Sequence, residues 1–282
     1  MNCGERIQQR PKSHIKLSYI THFYLERGLE PVTSLLERYR EELTPQELDQ
    51  IQFVIVDDGS PLPEYTPPDL GLNVTWLKII DNIPWNQGGA RNLGALYAKS
   101  DNILLIDLDW RMGREGFRWM LKKRCCGRNI YKFPECGRKR GHSNLWFMSR
   151  GHFFRYFGYD EQFSGGHGGE DYFFFKLHQY SGSRIFYLPP KYCTYNRFKT
   201  GELVKESYHS LPRDHSRNDL IGQRVREGIE KYGFEGGHSR IFLNFRWKVV
   251  ADYHRPIEYY RPRERRWWRW SWYLRWLFGG CG

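Results

Sequence analysis

Apolar residues along the first hundred positions follow two alternating periods. Lys16 to Thr21 (KLSYIT) is a short β-prone stretch. After it, Leu29, Val32, Leu35, Leu36, Tyr39 and Leu43 recur at helical spacing, with Pro31 tolerated in the first turn. Ile51 to Val56 (IQFVIV) is a nearly continuous β-branched run, the pattern of a strand buried on both faces. Asn73 to Ile80 reads as a further strand, Gly89 to Lys99 as a helix, and Asn102 to Ile106 (NILLI) as another apolar strand. This alternation predicts an α/β fold: a mostly parallel central sheet with right-handed crossovers, flanked by helices.

Beyond Asp109 the pattern loosens. A helix is expected near Glu115 to Lys123, strands near Asn129 to Phe133 and Asn144 to Met148, and a helix from about Ser149. A glycine-rich stretch, Gly165-Gly166-His167-Gly168-Gly169, leads into Glu170-Asp171 and an aromatic run from Tyr172 to Leu177 that reads as helix, and His215 to Lys231 reads as one more. No internal repeat precedes the Arg/Trp-rich end. The expected organisation is a basic N-terminal segment over 1–14, one catalytic α/β domain over 15–235, and a basic, Trp-rich C-terminal extension over 236–282.

The chain has 282 residues, enough for one large domain with a substantial core. Aromatic content is 17%, and no run of about 18 uncharged apolar residues suggests a membrane span. The polar opening MNCGERIQQRPKSH has no apolar stretch of the kind a signal peptide carries, so a cytoplasmic setting is expected. Six Cys without a C-x-x-C pair indicate neither a zinc knuckle nor a disulfide framework. The net charge of +12 favours polyanions, nucleotides or acidic membrane surfaces, and residues 261–282 contribute six Arg against one Glu.

Three acidic or Gly-rich clusters carry candidate chemistry. Val56-Asp57-Asp58-Gly59-Ser60 places two carboxylates at a strand end beside a glycine turn, able to accept hydrogen bonds from a base or ribose. In Asp107-Leu108-Asp109, side chains at i and i+2 share one face of an extended chain and can converge on one hard cation, Mg²⁺ or Mn²⁺, bridging to a diphosphate. Between them, Asn86-Gln87-Gly88-Gly89-Ala90-Arg91-Asn92-Leu93-Gly94 offers backbone N–H groups at a helix entrance and a cation one turn in. Ligands of parallel α/β sheets bind at the carboxyl ends of strands, where both acidic clusters fall.

In this order and spacing, VDDGS, GGARNLG and LLIDLD resemble the inverting glycosyltransferases of family 2, with their GT-A fold, over roughly Lys16 to Asp109. The resemblance implies nucleotide-sugar contacts from Thr21, Phe23, Asp58, Gly89, Arg91, Asp107 and Leu108, with Asp109 on the metal. The first strand ends in Thr21-His22-Phe23-Tyr24, where the family often has a Pro-x-Tyr-Asn-like turn. Gly168-Gly169-Glu170-Asp171 after Gly166-His167 resembles the G-W-G-G-E-D-D motif of galactosyltransferase-like enzymes, with His167 in the place of Trp. By that likeness Asp171 is the catalytic base, and Glu170, His167 and Gly169 line the acceptor side. Asp214-His215-Ser216-Arg217-Asn218 resembles the H-S-R-D segment whose histidine completes the metal site, which makes His215 the third ligand, with His209 as its rival.

The expected activity is thus metal-dependent transfer of a hexose, galactose or N-acetylhexosamine, from a UDP-sugar to a hydroxyl of a glycan or lipid-linked acceptor, with Mn²⁺ or Mg²⁺ as cofactor. Two other classes compete. A nucleic-acid-binding protein would use the positive charge, but acidic strand ends repel a phosphate backbone, and no nucleic acid is expected as partner. A nucleotidyltransferase also needs paired acids and Mg²⁺, yet leaves the Glu-Asp motif without a task. The tail Arg261 to Phe278 holds five of the eleven Trp. It suits a peripheral contact at the cytoplasmic membrane face, packing on the domain, or stacking on sugar or nucleic acid. The basic run Arg138-Lys139-Arg140 reads as a solvated loop.

Overall fold

The computed structural model describes residues 14–125, 127–138, 144–205 and 209–256. The chain begins β1 (Leu17–Phe23), α1 (Glu30–Glu42), α2 (Pro45–Leu48), β2 (Ile51–Asp57), β3 (Val74–Ile79), α3 (Gln87–Tyr97) and β4 (Asn102–Leu105). It continues through β5 (Trp110–Met112), α4 (Arg114–Lys122), β6 (Asn129–Lys132), β7 (Trp146–Ser149), α5 (Arg150–Arg155) and α6 (Glu170–Tyr180). The last elements are β8 (Arg184–Tyr187), β9 (Thr194–Asn196), α7 (Ser216–Tyr232) and β10 (Trp247–Tyr253).

Every residue of β2 is buried, and the strand's period of two explains how. Ile51, Phe53 and Ile55 join Val32, Leu35, Leu36 and Tyr39 of α1 in one core, while Val54 and Val56 join Ala90 and Leu93 of α3 in the other. Two helical layers therefore sandwich the sheet. The α3 layer lies close because of Gly94: a Cβ there would stand 2.4 Å from Ile20 Cγ2 of β1.

The main sheet has the order β10-β3-β2-β1-β4-β7-β6-β8, and β5 pairs with β9 in a separate ribbon. β3, β2, β1 and β4 are mutually parallel, as the alternation predicted. The sheet as a whole is mixed, because β7 runs antiparallel to both β4 and β6 and β10 runs antiparallel to β3. The β-prone segment WKVVADY of β10 lies past the boundary expected at residue 235, and its pairing carries the sheet into the expected extension. The Arg261 to Phe278 tail lies outside the described residues. No helix among the described residues is long and apolar enough to cross a membrane.

Parallel pairing has one consequence for chemistry. With Phe23 opposite Asp57, and Ile20 opposite Leu105, the segments that leave β1, β2 and β4 emerge on one rim of the sheet.

Candidate active site

Two cavities open at that rim. The first, about 360 Å³, is lined by His22, Phe23 and Tyr24 after β1, Asp58 after β2, and Asp107, Leu108 and Asp109 after β4. The second, about 560 Å³, is lined by Gly168, Gly169, Glu170 and Asp171 at the start of α6, with Lys132, Trp146, Tyr172, Phe175 and Tyr187 around them. Trp85, Gln87, Asn144 and His167 border both cavities. The expected donor-side and acceptor-side carboxylates are thus neighbours across a shared wall.

The two acids of the first cluster divide their work. Asp57 is held by the fold: Oδ1 accepts the Ser60 N–H at 2.7 Å, Oδ2 accepts the Tyr65 hydroxyl at 2.5 Å, and Lys78 Nζ lies 3.3 Å away. Gly59, at φ +75°, makes the reversal that leaves Asp58 facing the cavity. Burial, with the neighbouring Asp57 charge, pushes the Asp58 carboxyl well above the usual range, against hydrogen bonding from Asn86. Asp109 is pushed up to about 7, by burial first and by Asp107 second. His22 moves the other way, down to about 4, because burial and then Arg91 disfavour its cation.

Arg91 joins the two sides. Its side chain is 1% exposed, and one guanidinium nitrogen, Nη2, donates to Asp107 Oδ1. The other, Nη1, donates to Asp171 Oδ1 at 2.7 Å and to the Tyr159 hydroxyl at 2.6 Å. Burial opposes the charge, but Tyr159, Asp107 and Asp171 together hold the guanidinium pKa well above its ordinary value. Gln87 Nε2 fixes the remaining oxygen of Asp171 at 2.6 Å, and the Tyr159 hydroxyl lies 3.2 Å from Oδ1. Burial pushes Asp171 upward while Arg91 pulls it down. Glu170 rises to about 8, by burial and then the Asp171 charge, and its Oε2 has no hydrogen-bond partner among the described residues.

The glycine-rich loop before α6 is pinned from α7. Asn218 Nδ2 donates to the carbonyls of Phe163, Gly166 and Gly168 at 3.0, 2.8 and 2.6 Å. Gly168 and Gly169 take φ of +80° and +97°, and a Cβ on Gly168 would stand 2.8 Å from His215 Nδ1. Trp85 also adopts a left-handed backbone, φ +54°, unusual for a bulky residue. Its Nε1 donates to Pro212 O at 2.9 Å, and its ring lies edge-on to His167 and His209 at 4.2 and 5.0 Å.

Several expected site residues lie elsewhere. Thr21 is fully buried within β1, opposite Ile55, and Gly89 is packing space, since a Cβ would meet Asn86 Oδ1 at 2.3 Å and Phe245 Cε1 at 2.6 Å. Arg91 lines neither cavity, because both ends of its guanidinium are taken by Asp107 and Asp171. His215 likewise lines neither. Its Nε2 is 3.1 Å from His167 Nδ1, whereas the rival His209 borders the same cavity as Asp109. Sequence reading passed over His22, Trp85, Lys132, Asn144 and Tyr159. His22 had a signal, standing between two residues singled out at a strand end, but Lys132 sits in an apolar strand that gives no hint of a cavity.

The donor set bears on the divalent cation expected from the sequence. Among the described residues no three His, Cys, Asp or Glu side chains converge as a cage. Asp109 nevertheless keeps a half-buried carboxylate whose charge is opposed by desolvation and by Asp107, and no ion pair to it is found among the described residues. Mg²⁺-type sites use one or two carboxylates completed by water and substrate phosphate, and Asp109 beside Asp107 fits that chemistry.

No protein-family model matches the sequence, and no curated protein matches it. Solved structures do resemble the fold. TarS of S. aureus in complex with UDP-GlcNAc superposes with a TM-score of 0.51 at 15% identity, over 77% of this chain and 66% of that one. GalNAc-T7 with UDP, GalNAc and Mn²⁺ gives 0.50 at 12% identity, over 78% and 52%. The fold is that of the GT-A glycosyltransferases. The chain spans less than two thirds of the length of either structure.

Proposed function

We propose that the chain is a metal-dependent, inverting glycosyltransferase that moves a hexose from a UDP-sugar to a hydroxyl of a glycan or lipid-linked acceptor. The observation that carries this reading is Arg91, whose two nitrogens tie Asp107 of one cavity to Asp171 of the other. A sugar at the shared wall of Trp85, Gln87, Asn144 and His167 would have its leaving diphosphate on the Asp107 and Asp109 side and an incoming hydroxyl on the Glu170 and Asp171 side. Opposed faces are what inversion requires.

In this reading Asp58 accepts hydrogen bonds from the uridine, Phe23 and Leu108 line its pocket, and Asp107 meets ribose or sugar. Asp171 takes the acceptor hydroxyl's proton as that oxygen bonds to the anomeric carbon, and the anomeric carbon–oxygen bond breaks with its electron pair leaving on UDP. Arg91, Tyr159 and Gln87 hold the Asp171 carboxylate in one orientation, which makes them positioning residues. Glu170 and His167, with the open backbone of Gly169, orient the acceptor. Mn²⁺ or Mg²⁺, held at Asp109 with diphosphate oxygens, would neutralise the departing charge. His209, bordering the cavity with Asp109, is the better placed histidine for that ion. The aromatic lining of the second cavity, from Trp146, Tyr172, Phe175 and Tyr187, supports a carbohydrate face as the acceptor.

Incubation with Mn²⁺ and a panel of nucleotide sugars, with released nucleotide as readout, tests the reading. Asp171→Asn should lower turnover by about 10²–10⁴ while sparing UDP affinity. Near-wild-type turnover in that variant removes Asp171 from the role.

A further inference from the structure

Lys132 stands where the strand pattern calls for an apolar residue. It ends β6, and because β7 is antiparallel to both β4 and β6, it emerges at the same rim as Asp107 and Asp109. The period of two puts it on the face of Ile130, which packs in one core with Trp146, Met148 and Phe174. Lys132 is 6% exposed and borders the second cavity, with its Nζ 3.4 Å from the centre of the Trp146 ring. A cation on an aromatic face is a favourable pairing, and it occupies that face of Trp146. Trp146 lines the same cavity, and its buried Nε1, a donor only, has no hydrogen-bond partner among the described residues. Buried donors are ordinarily satisfied, so an acceptor atom is expected from what fills the cavity. The neighbouring acids leave room for an anion: Asp171 is bonded to Arg91 Nη1 at 2.7 Å, and Glu170, pushed up to about 8, is uncharged at neutral pH. Burial lowers the Lys132 ammonium to about 7 against the pull of Asp171, so an anion beside it would restore its charge.

We propose that Lys132 and the Trp146 indole N–H form an anion-binding subsite of the second cavity, so that the acceptor is an acidic sugar, one carrying a carboxylate or a phosphate. The assignment rests on the glycosyltransferase reading for treating that cavity as the acceptor side. The ammonium and the indole N–H both donate and neither accepts, and an anionic group with two oxygens answers both at once. Tyr172, Phe175 and Tyr187 offer apolar faces that any sugar can meet, whereas this pair discriminates by charge. The acidic group on Lys132 and Trp146 would leave a hydroxyl of the same sugar for Asp171, which borders the same cavity.

The test titrates the full chain, with and without UDP and Mg²⁺, against methyl β-glucuronide, glucose 6-phosphate and the neutral methyl β-glucoside, with binding read by NMR of the probe. In the wild type at least one acidic probe should bind about tenfold or more tighter than the glucoside, and which one does so separates a carboxylate from a phosphate. Lys132→Met keeps an unbranched chain on Trp146 and should bring the acidic probe to the affinity of the glucoside. Trp146→Phe keeps an aromatic face under the lysine but removes the N–H. It should weaken the acidic probe by about two- to tenfold, and it tests the subsite where Lys132→Met does not fold. Equal affinity for all three probes in the wild type, or an acidic preference that a folded variant leaves intact, would overturn the proposal. Binding is read from the probe and not from released nucleotide, so a failure here is distinct from a failure of UDP-sugar transfer.

Discussion

Arg91→Met is the perturbation that reaches deepest into this structure. The substitution keeps an unbranched side chain of helical propensity but removes the cation that bonds both Asp107 and Asp171, whose side chains are 15% and 16% exposed. Removing one partner of a buried ion pair costs about 3–5 kcal/mol, since the remaining charge stays desolvated. For a protein of this size that lowers the melting temperature by roughly 5–8 °C. The cost depends on pH with a definite sign. Without Arg91 the two carboxyls have folded-state pKa values above the unfolded value of about 3.9, so the penalty is full at pH 8 and fades as falling pH protonates them. Urea denaturation of wild type and variant at pH 8 and pH 5 measures both quantities. Adding Asp171→Asn to the variant should return part of the loss, because the pair is coupled. A loss under about 1 kcal/mol, or an equal loss at both pH values, would refute the bridging role of Arg91.

Other expectations follow from individual groups. Asp109→Asn should raise the stability of the metal-free protein at pH 8 by on the order of 1–2 kcal/mol, because burial and Asp107 push that carboxyl up to about 7 and it is charged there; calorimetry at pH 8 and pH 5 checks it, and the gain should shrink to roughly a third at pH 5 and vanish only below the unfolded value of about 3.9. His152 and His178, both bonded to Ser183 Oγ, are lowered to about 4 and about 3, mainly by burial. They stay neutral in the fold, so their contribution is present above pH 6.5 and lost as pH falls toward those values, and the difference in urea midpoint between wild type and His178→Asn should shrink between pH 7 and pH 4. Gly94→Ala drives a methyl to 2.4 Å from Ile20 Cγ2 and should cost about 1–3 kcal/mol in denaturation experiments.

The parts of the fold that sequence made legible are those where one local pattern carries the answer. The IQFVIV run of β2, the helical spacing of α1 and the acidic strand ends all read correctly, because burial on two faces and a parallel rim leave direct marks on composition. β10 was not legible. An edge strand beside a basic tail alternates weakly, and only its antiparallel pairing with β3 reveals it. The pairing of Arg91 was not legible for a similar reason: a cation one turn into a Gly-rich helix suggests an anion site, and nothing local says that acids 16 and 80 positions away will surround it. His215 was placed by likeness of its segment, whereas Gly168 admits its ring and His167 engages it, an arrangement set by tertiary contact alone.

In the proposed reaction two carboxylate groups, Asp107 with Asp109 and Glu170 with Asp171, serve different halves of one site. Titration calorimetry of UDP, with and without Mn²⁺, on wild type, Asp109→Ala and Asp171→Asn measures that division directly. The predicted result is Mn²⁺-dependent binding in the wild type, loss of that dependence in Asp109→Ala, and retained binding in Asp171→Asn. UDP affinity indifferent to Mn²⁺ and to Asp109→Ala, or abolished by Asp171→Asn, would contradict it.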